Sequence, residues 1–440
     1  NFRRLARHMV CGISSRYSPL HPQTNSFDSP FPAQFSYPQF DLVAYPYYHS
    51  LSLGDFDPAR DCHRVAIYGG KYRTHCYFTF LFRILAISYC RKSSHYVDNA
   101  IYQLVSTMKN TSFVVIGGGT GTFSVLSGLK EYTSNITAIV NMSDSGGSAK
   151  KERDEWGLLP SSDIRKSLIA LADVSKEDSI ILRKLFQYRY SEGVGLKGVT
   201  FGNLFLVALT KLLGSQAKAI EKAGELLRIR GRVLPVTLKN IDLVATYTDG
   251  TKVIGEHFID EPRHNGKIPI EKLSIAPSAH VTPEVEKAIR EADAIIIGPG
   301  GFYTTILANF VVGGVADSVK KSRGKKIFIM NLMTEYGQTY QFSASQFLKE
   351  LDSYFPVKYL DYVFINNRGI PTPILEQYHA FHAEPVVNDL PLKSTFQVVA
   401  SDLLSQEIIR KEKGDGLKRS LIRHSPEKIA KLCLKVLGLV

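Results

Sequence analysis

FVVIGGGTGTFSVLSGLKEY, residues 113–132, joins an uninterrupted apolar run to a burst of glycine and then to a helical pattern. Four of the six residues from Gly117 to Thr122 are glycine. A short apolar run bounded by glycine predicts a strand covered on both faces. The pattern that follows predicts a helix over 122–132. Glycine lets a backbone come close to another group and reach positive φ, and a helix N-terminus offers unpaired N–H groups to an anion. The stretch therefore predicts a phosphate-bearing ligand over Gly117, Gly118, Gly119, Thr120 and Gly121, with the Thr120 and Thr122 hydroxyls as further donors. A plain strand–helix turn would use the same glycines without a ligand. The loop is not a dinucleotide fingerprint, because position 122 is Thr where G-x-G-x-x-G requires Gly, and it lacks the Gly-Lys-Ser/Thr ending of the ATP-type P-loop.

Outward from this stretch the pattern stays regular. Strand-like runs are SFVVIG, ITAIVNMSD, IDLVATYT, KLSIAP, DAIIIG, KIFIMNL and DYVFIN. Helical patterns cover 162–173, 178–189, 201–213, 215–229, 303–321 and 425–438. Strands alternating with helices predict a Rossmann-like three-layer α/β/α sandwich with a mostly parallel sheet. The chain between Asp144 and Asp242 has helices and almost no strand, which predicts a helical insertion at about 150–240. Asp-Gly in TYTDGTKVIGE (246–256) predicts a hairpin.

Three further strings extend the candidate site. In NMSDSGG, Asp144 meets the glycine pair Gly146 and Gly147 at a strand end, where an acid holds a ribose hydroxyl, holds a metal on a phosphate, or merely caps a turn. AIIIGPGGFYTT repeats the strand–glycine–helix device, with Gly298, Pro299, Gly300, Tyr303 and Thr304 as candidates. Asn203, in VTFGNLF, either caps its helix or faces a ligand. RIRGRVLP offers Arg228, Arg230 and Arg232 as a solvated basic face or a phosphate clamp. Asp163 in PSSDIR reads as a helix N-cap.

Composition sets the limits. Residues 1–107 hold 20 Phe/Tyr, four of the five Cys and no Glu, with turn residues throughout and no sustained period. They read as an extension that is not a folded domain, disordered or an artefact of the gene model, upstream of a start at Met108; the domain proper is 108–440. The net charge of +13 suits an anionic ligand, but no basic stripe interleaved with aromatics or zinc-finger spacing points to nucleic acid. No apolar run reaches the roughly 20 residues of a membrane span. Five cysteines without a close pair suggest a reducing compartment.

In order, the chain carries Gly-Gly-Gly-Thr-Gly, Asp-x-Gly-Gly-Ser, Asp-Ile-Arg, Phe-Gly-Asn-Leu-Phe, Arg-Gly-Arg-Val-Leu-Pro, Gly-Pro-Gly-x-x-Tyr-Thr and Asn-Leu-Met-Thr. From Met108 onward it resembles the gluconeogenesis factor family (YvcK type), related to 2-phospho-L-lactate transferase (CofD). The resemblance implies a cytoplasmic bacterial protein. In the regulatory branch it implies binding of a UDP-sugar such as UDP-N-acetylglucosamine, with roles in carbon metabolism, cell wall and cell shape. In the transferase branch it implies Mg²⁺-dependent transfer of phospholactate in deazaflavin cofactor biosynthesis, with Asp144 as metal ligand. It also carries Asn203, Tyr378 and Arg423 over as ligand contacts. Where the family has Asp-Asp-Gly-Gly this chain has Asp144-Ser145-Gly146-Gly147; it also has Ser161, Ser162 and Lys166 in the PPGDIRN position, and Val199 in place of a common His. One carboxylate is missing, and no nucleophile–base pair is marked. The departures favour a non-catalytic nucleotide-sugar binder over a phosphotransferase, and the glycine spacing disfavours an NAD(P) dehydrogenase. A homo-oligomer is compatible with all of these.

Overall fold

The computed structural model describes residues 106–173, 176–193, 195–391, 394–407 and 421–440, all within the compact unit Leu81–Val440. The expected extension, residues 1–107, lies outside the described residues apart from its last two.

Seven strands form one parallel sheet: β1 (Phe113–Gly117), β2 (Ile136–Val140), β3 (Arg232–Pro235), β7 (Ala294–Ile297), β8 (Lys325–Ile329), β9 (Tyr362–Asn366) and β10 (Gln397–Ser401), in the order β10-β9-β8-β7-β1-β2-β3. Every residue of β1, β2 and β7 is buried, as their unbroken apolar sequences predict. β1 lies in register between β2 (Phe113↔Ile136) and β7 (Phe113↔Ala294). Chain order runs outward through β2 and β3 on one side, and through β7 to β10 on the other. The direction of winding therefore reverses between β1 and β7, and helices on either side leave a crevice beyond their carboxyl ends. The two glycine-rich turns after these strands meet there.

Helix α1 (Gly119–Leu129) follows β1. The insertion between β2 and β3 consists of α2 (Gly147–Trp156), α3 (Ser162–Leu171), α4 (Lys176–Gln187), α5 (Phe201–Leu213) and α6 (Gln216–Leu226). The other helices are α7 (Glu256–Asp260), α8 (Pro283–Glu291), α9 (Val315–Lys321), α10 (Ala344–Asp352), α11 (Thr372–His379) and α12 (Pro426–Val436).

Three expectations need refinement. IDLVATYT and KLSIAP do form strands, β4 (Asp242–Tyr247) and β6 (Ile270–Ala276), but with β5 (Lys252–Ile254) they build a separate antiparallel sheet, β5-β4-β6. The helix expected over 303–321 breaks into a π-helical turn (Phe302–Leu307), one α-turn (Ala308–Phe310) and α9, because Gly313 and Gly314 interrupt it, Gly314 at φ 92°. Arg228, Arg230 and Arg232 lead into the first residue of β3, at the amino edge of the sheet; Arg230 pairs with Asp173 at 2.8 Å, and Arg232 bonds Thr137 at 2.8 Å. A phosphate clamp at the glycine crevice is thereby ruled out for them, since parallel strands put the crevice at the opposite end.

α1 and the C-terminal α12 pack so closely that a Cβ at Gly128 would overlap the Pro426 carbonyl and lie 3.1 Å from the Ala430 methyl. Overpacking of this kind costs about 1–3 kcal/mol. Gly128→Ala is expected to destabilise the protein by that amount in urea denaturation, despite alanine's better helix propensity. An unchanged or raised midpoint would show that the two helices are not in backbone contact.

Candidate functional site

The two glycine turns touch each other before they could touch a ligand. A Cβ on Gly118 would run into the Asp163 carboxylate and within 3.1 Å of the Thr305 methyl. One on Gly121 would strike the Pro299 carbonyl, and one on Gly300 would sit 2.7 Å from the Thr305 hydroxyl and 3.2 Å from the Gly118 carbonyl. Bareness at 118, 121 and 300 is therefore explained by loop-on-loop packing. Gly119 is different. It has φ 67° and nothing within 4 Å of where a side chain would start, so it needs glycine for its backbone conformation while facing open space.

Three buried or half-buried asparagines hold this arrangement. Asn309 donates through Nδ2 to the Gly117 carbonyl (3.3 Å) and the Thr305 carbonyl (2.7 Å). Asn141, just past β2, donates to the Thr304 carbonyl (3.0 Å). Asn331, just past β8, donates to the Gly300 carbonyl (2.8 Å). Sequence reasoning missed all three; Asn331 opens the Asn-Leu-Met-Thr string, but its partner is visible only in three dimensions.

What the crevice presents is backbone. α1 starts at Gly118 and α2 at Gly146, and neither start has a side-chain cap or an acid in its first turn. By contrast α5, α6, α8 and α12 are each capped by a hydroxyl, from Thr200, Ser215, Thr282 and Ser425. Uncapped starts are not confined to the crevice, since α3, α7, α9 and α11 also lack a side-chain cap hydrogen bond; at α1 and α2 the uncapped amides lie beside the glycine loops, where such amides can meet an anion.

The expected site residues divide accordingly. Thr120 is exposed and Gly119 and Gly121 are half-buried, while Thr122 is fully buried against Gly117. The Thr122 hydroxyl thus turns inward and is not available as the donor expected of it. Gly117, Gly298 and Pro299 are buried at the strand ends, and Gly298 has φ 76°. Tyr303 and Thr304 are buried, Tyr303 edge-on to Phe302 in the core, and burial followed by the Glu350 charge raises its phenol well above the usual range. Asn203 is fully buried; Thr200, not Asn203, caps α5, and the Asn203 amide donates to Glu152. Tyr378 accepts backbone N–H bonds from Leu421 (2.9 Å) and Ile422 (3.2 Å), pinning the segment that carries Arg423. Tyr378 and Arg423 also share an electrostatic environment with Glu335. His424 reaches the Met330 carbonyl at 3.1 Å, which ties that segment to the end of β8.

A charged cluster lies under the loops. Asp144 accepts from the Gly146 amide at 3.0 Å, and burial followed by the neighbouring Asp163 raises its pKa. Asp163 is the second residue of α3 rather than its N-cap, and it pairs with Lys166 at 2.9 Å. Burial opposes the Lys166 charge, yet Asp163 and Asp144 outweigh it and its pKa is raised. Glu256, on α7, is pushed well above the carboxylate range by burial and then by Asp144. The acid lacking at Ser145 thus has a spatial counterpart in Asp163; the Ser145 hydroxyl accepts from the His257 amide instead, at 3.1 Å. Among the described residues no group of three or more His, Cys, Asp or Glu is arranged to hold a metal by itself. None of the described helices is long and apolar enough to cross a membrane.

Comparison with known proteins agrees with this architecture. The profile of the family "2-phospho-L-lactate transferase CofD" matches residues 113–404. The chain is 40% identical over 318 residues to a putative gluconeogenesis factor of Thermotoga maritima, covering 72% of this chain and 96% of that one. It is 35% identical over 324 residues to the gluconeogenesis factor of Bacillus subtilis, covering 73% and 97%. A crystal structure of a UPF0052 family member from Bacillus halodurans superposes with a TM-score of 0.66 at 32% identity, over 74% of this chain and 99% of that one.

Glu152 lies behind the cluster, 1% exposed, accepting from the Ser161 amide at 2.8 Å and from Asn203. Burial raises its pKa from 4.5 to about 7. A carboxyl raised in the folded state is no burden below its unfolded pKa. As pH climbs from about 4.5 to about 7 the unfolded chain ionises first, so stability falls. Glu152→Gln keeps an acceptor for Ser161, and its amide can donate to the Asn203 Oδ1, which has no partner among the described residues, once the Asn203 amide turns over, since its Nδ2 is the atom that faces Glu152. It is expected to gain on the order of 3 kcal/mol over the wild type between pH 4.5 and pH 8, read from denaturation midpoints. Parallel pH profiles for the two proteins would refute the ionisation described for Glu152.

Proposed function

The chain belongs to the CofD family, among relatives named gluconeogenesis factor, and from that premise we propose that it is a cytoplasmic regulatory protein that binds a UDP-sugar of the UDP-N-acetylglucosamine type. Its role is in carbon metabolism, cell wall and cell shape. The observation that supports this best is the pair of uncapped helix starts, Gly118 and Gly146, beside the glycine turn Gly298–Gly301 at the reversal of the sheet. A diphosphate supplies the acceptors that these first-turn amides lack. Tyr378 and Arg423, further along the same carboxyl edge past β8, suit the sugar end of an extended ligand.

A second reading, a Mg²⁺-dependent phosphotransferase of the phospholactate type, draws support from the placement of Asp163 beside Asp144. Two carboxylates fit a Mg²⁺ that takes its other ligands from phosphate oxygens and water. The ion would neutralise charge on the phosphates. The Lys166–Asp163 ion pair supplies a positive charge at the same place without a metal, and this favours binding over turnover.

UDP-N-acetylglucosamine at about 100 times its Kd is expected to add roughly 2.7 kcal/mol of stability, seen as a raised Tm. Gly119→Asp should remove that shift, because it places a negative side chain at positive φ in the open crevice. The substitution meets no protein atom within 4 Å, so its cost to the fold is the strain of a side chain at φ 67°, about 1–2 kcal/mol, and the Tm of the ligand-free variant reads that cost separately. A ligand-induced shift undiminished in Gly119→Asp would sink the phosphate site. Asp144→Asn and Asp163→Asn leave the shift insensitive to Mg²⁺ removal if binding alone is the role. Mg²⁺-dependent transfer to a deazaflavin alcohol, lost in both variants, would instead establish the second reading.

A further inference from the structure

Among the described helices α2, GSAKKERDEW (147–156), is the one with no Val, Leu, Ile, Met or Phe. Of its side chains described, residues 151–156, only Glu152 is buried. A helix without an apolar stripe is not held in place by the hydrophobic effect. Yet its first amides, at Gly146 and Gly147, form half of the proposed anion site, so polar contacts must place them.

The outer ties are open to solvent. Lys151 donates to the Gly195 (3.2 Å) and Lys197 (2.9 Å) carbonyls, both exposed bonds, and Arg153 pairs at 2.7 Å with a partly exposed Asp242. Such contacts contribute little. Glu152 is different. Its carboxylate is shared between two other elements, Oε2 accepting from the Ser161 amide at the start of α3 (2.8 Å) and Oε1 from the Asn203 side-chain amide on α5. A buried carboxylate left short of a partner bears the desolvation cost in full.

Asn203 stands on a fixed platform. A Cβ at the preceding Gly202 would lie 2.6 Å from the Arg165 side chain and 2.7 Å from the Phe186 ring. Arg165 in turn donates to the Phe186 carbonyl (3.2 Å) and to the Thr200 hydroxyl that caps α5. The start of α5 is thus pressed onto α3 and α4. Asn203 itself has no exposed surface, and its amide is spent on Glu152. It presents no atom to the crevice, although the family resemblance implies a ligand contact for it.

We propose that Asn203 and Glu152 form the clasp that docks α2, so that Asn203 serves the anion site as a positioning residue and not as a ligand contact. At a rise of 1.5 Å per residue, Glu152 lies about 7.5 Å along the helix from Gly147, under two turns. At the near end, Asp144 accepts from the Gly146 amide and Ser145 from the His257 amide. Those bonds hold the loop and act as a pivot; Glu152 sets the direction in which the first amides of α2 point. The inference rests on the proposed function for its ligand, a diphosphate held by those amides.

Trp156, at the far end of α2, is the only tryptophan of the chain, and its fluorescence reports the docking of this helix without a label. The full chain is compared as wild type, Asn203→Leu, Arg153→Ala and the exchanged pair Glu152→Gln/Asn203→Asp. Asn203→Leu keeps the branching and loses the donor. Its Trp156 emission should shift to the red and lose polarisation in the free protein, and its Kd for UDP-N-acetylglucosamine should rise at least about tenfold. In the exchanged pair the Gln amide donates to the carboxylate on α5 while its carbonyl still accepts from Ser161. Native emission and a Kd within about threefold of wild type are expected of it. Arg153→Ala should change neither reading. A direct contact between Asn203 and the ligand predicts instead that the exchanged pair binds as weakly as Asn203→Leu, with native Trp156 emission in both; that result would overturn the proposal. Unaltered emission and Kd in Asn203→Leu would overturn it too. Should Asn203→Leu not fold, the exchanged pair decides alone, since a native Kd there excludes a contact that needs the Asn203 amide and a weakened one with native emission refutes the clasp. A wild type that does not bind UDP-N-acetylglucosamine counts against the proposed function alone; pyrophosphate, the bare diphosphate, then serves as the probe in the same comparison.

Discussion

The reversal of winding between β1 and β7 is the constraint on which the rest of the site depends. It brings two strand–glycine–helix turns edge to edge, and they fit only because Gly118, Gly121 and Gly300 carry no side chains. Such a junction has carbonyls that the regular ladders cannot satisfy, and the π-helical turn after Gly301 adds more. Asn141, Asn309 and Asn331 answer that need with amide donors. Each spans from one structural element to the next. These bonds tie the loops to one another, and amides already held in place bind an anion without a further cost of ordering.

Beneath that junction the helical insertion supplies what the sheet lacks. α3 brings Asp163 and Lys166 under the first glycine loop, and α2 brings Glu152 to the start of α3 and to Asn203 on α5. Buried carboxylates raise one another's pKa values unless a cation stands among them. Lys166 is that cation here and pulls Asp144 and Glu256 down, while burial, the larger influence, still holds both above the ordinary carboxylate value.

The sheet strands around β1 were legible because they are covered on both faces and so apolar throughout. β3 and β10 were not, because an edge strand has only a few buried positions and no distinctive period. Within the site the glycine loops were legible, but the reason for their glycines was only half right: loop packing explains most of them, and the open space at Gly119 is the exception. Asp163 read as a cap since local sequence contains no trace of Asp144, nineteen positions earlier, as its neighbour.

By itself the sequence determined the strand–glycine–helix units, the parallel sheet and the membership that its ordered motifs announce, because strand burial and backbone freedom are local and leave a pattern along the chain. Tertiary structure alone decided which glycine faces open space, which hydroxyl turns inward and which carboxylates share a field. Those properties depend on distances between residues far apart in the chain, and electrostatic coupling and close packing follow spatial separation, not position in sequence.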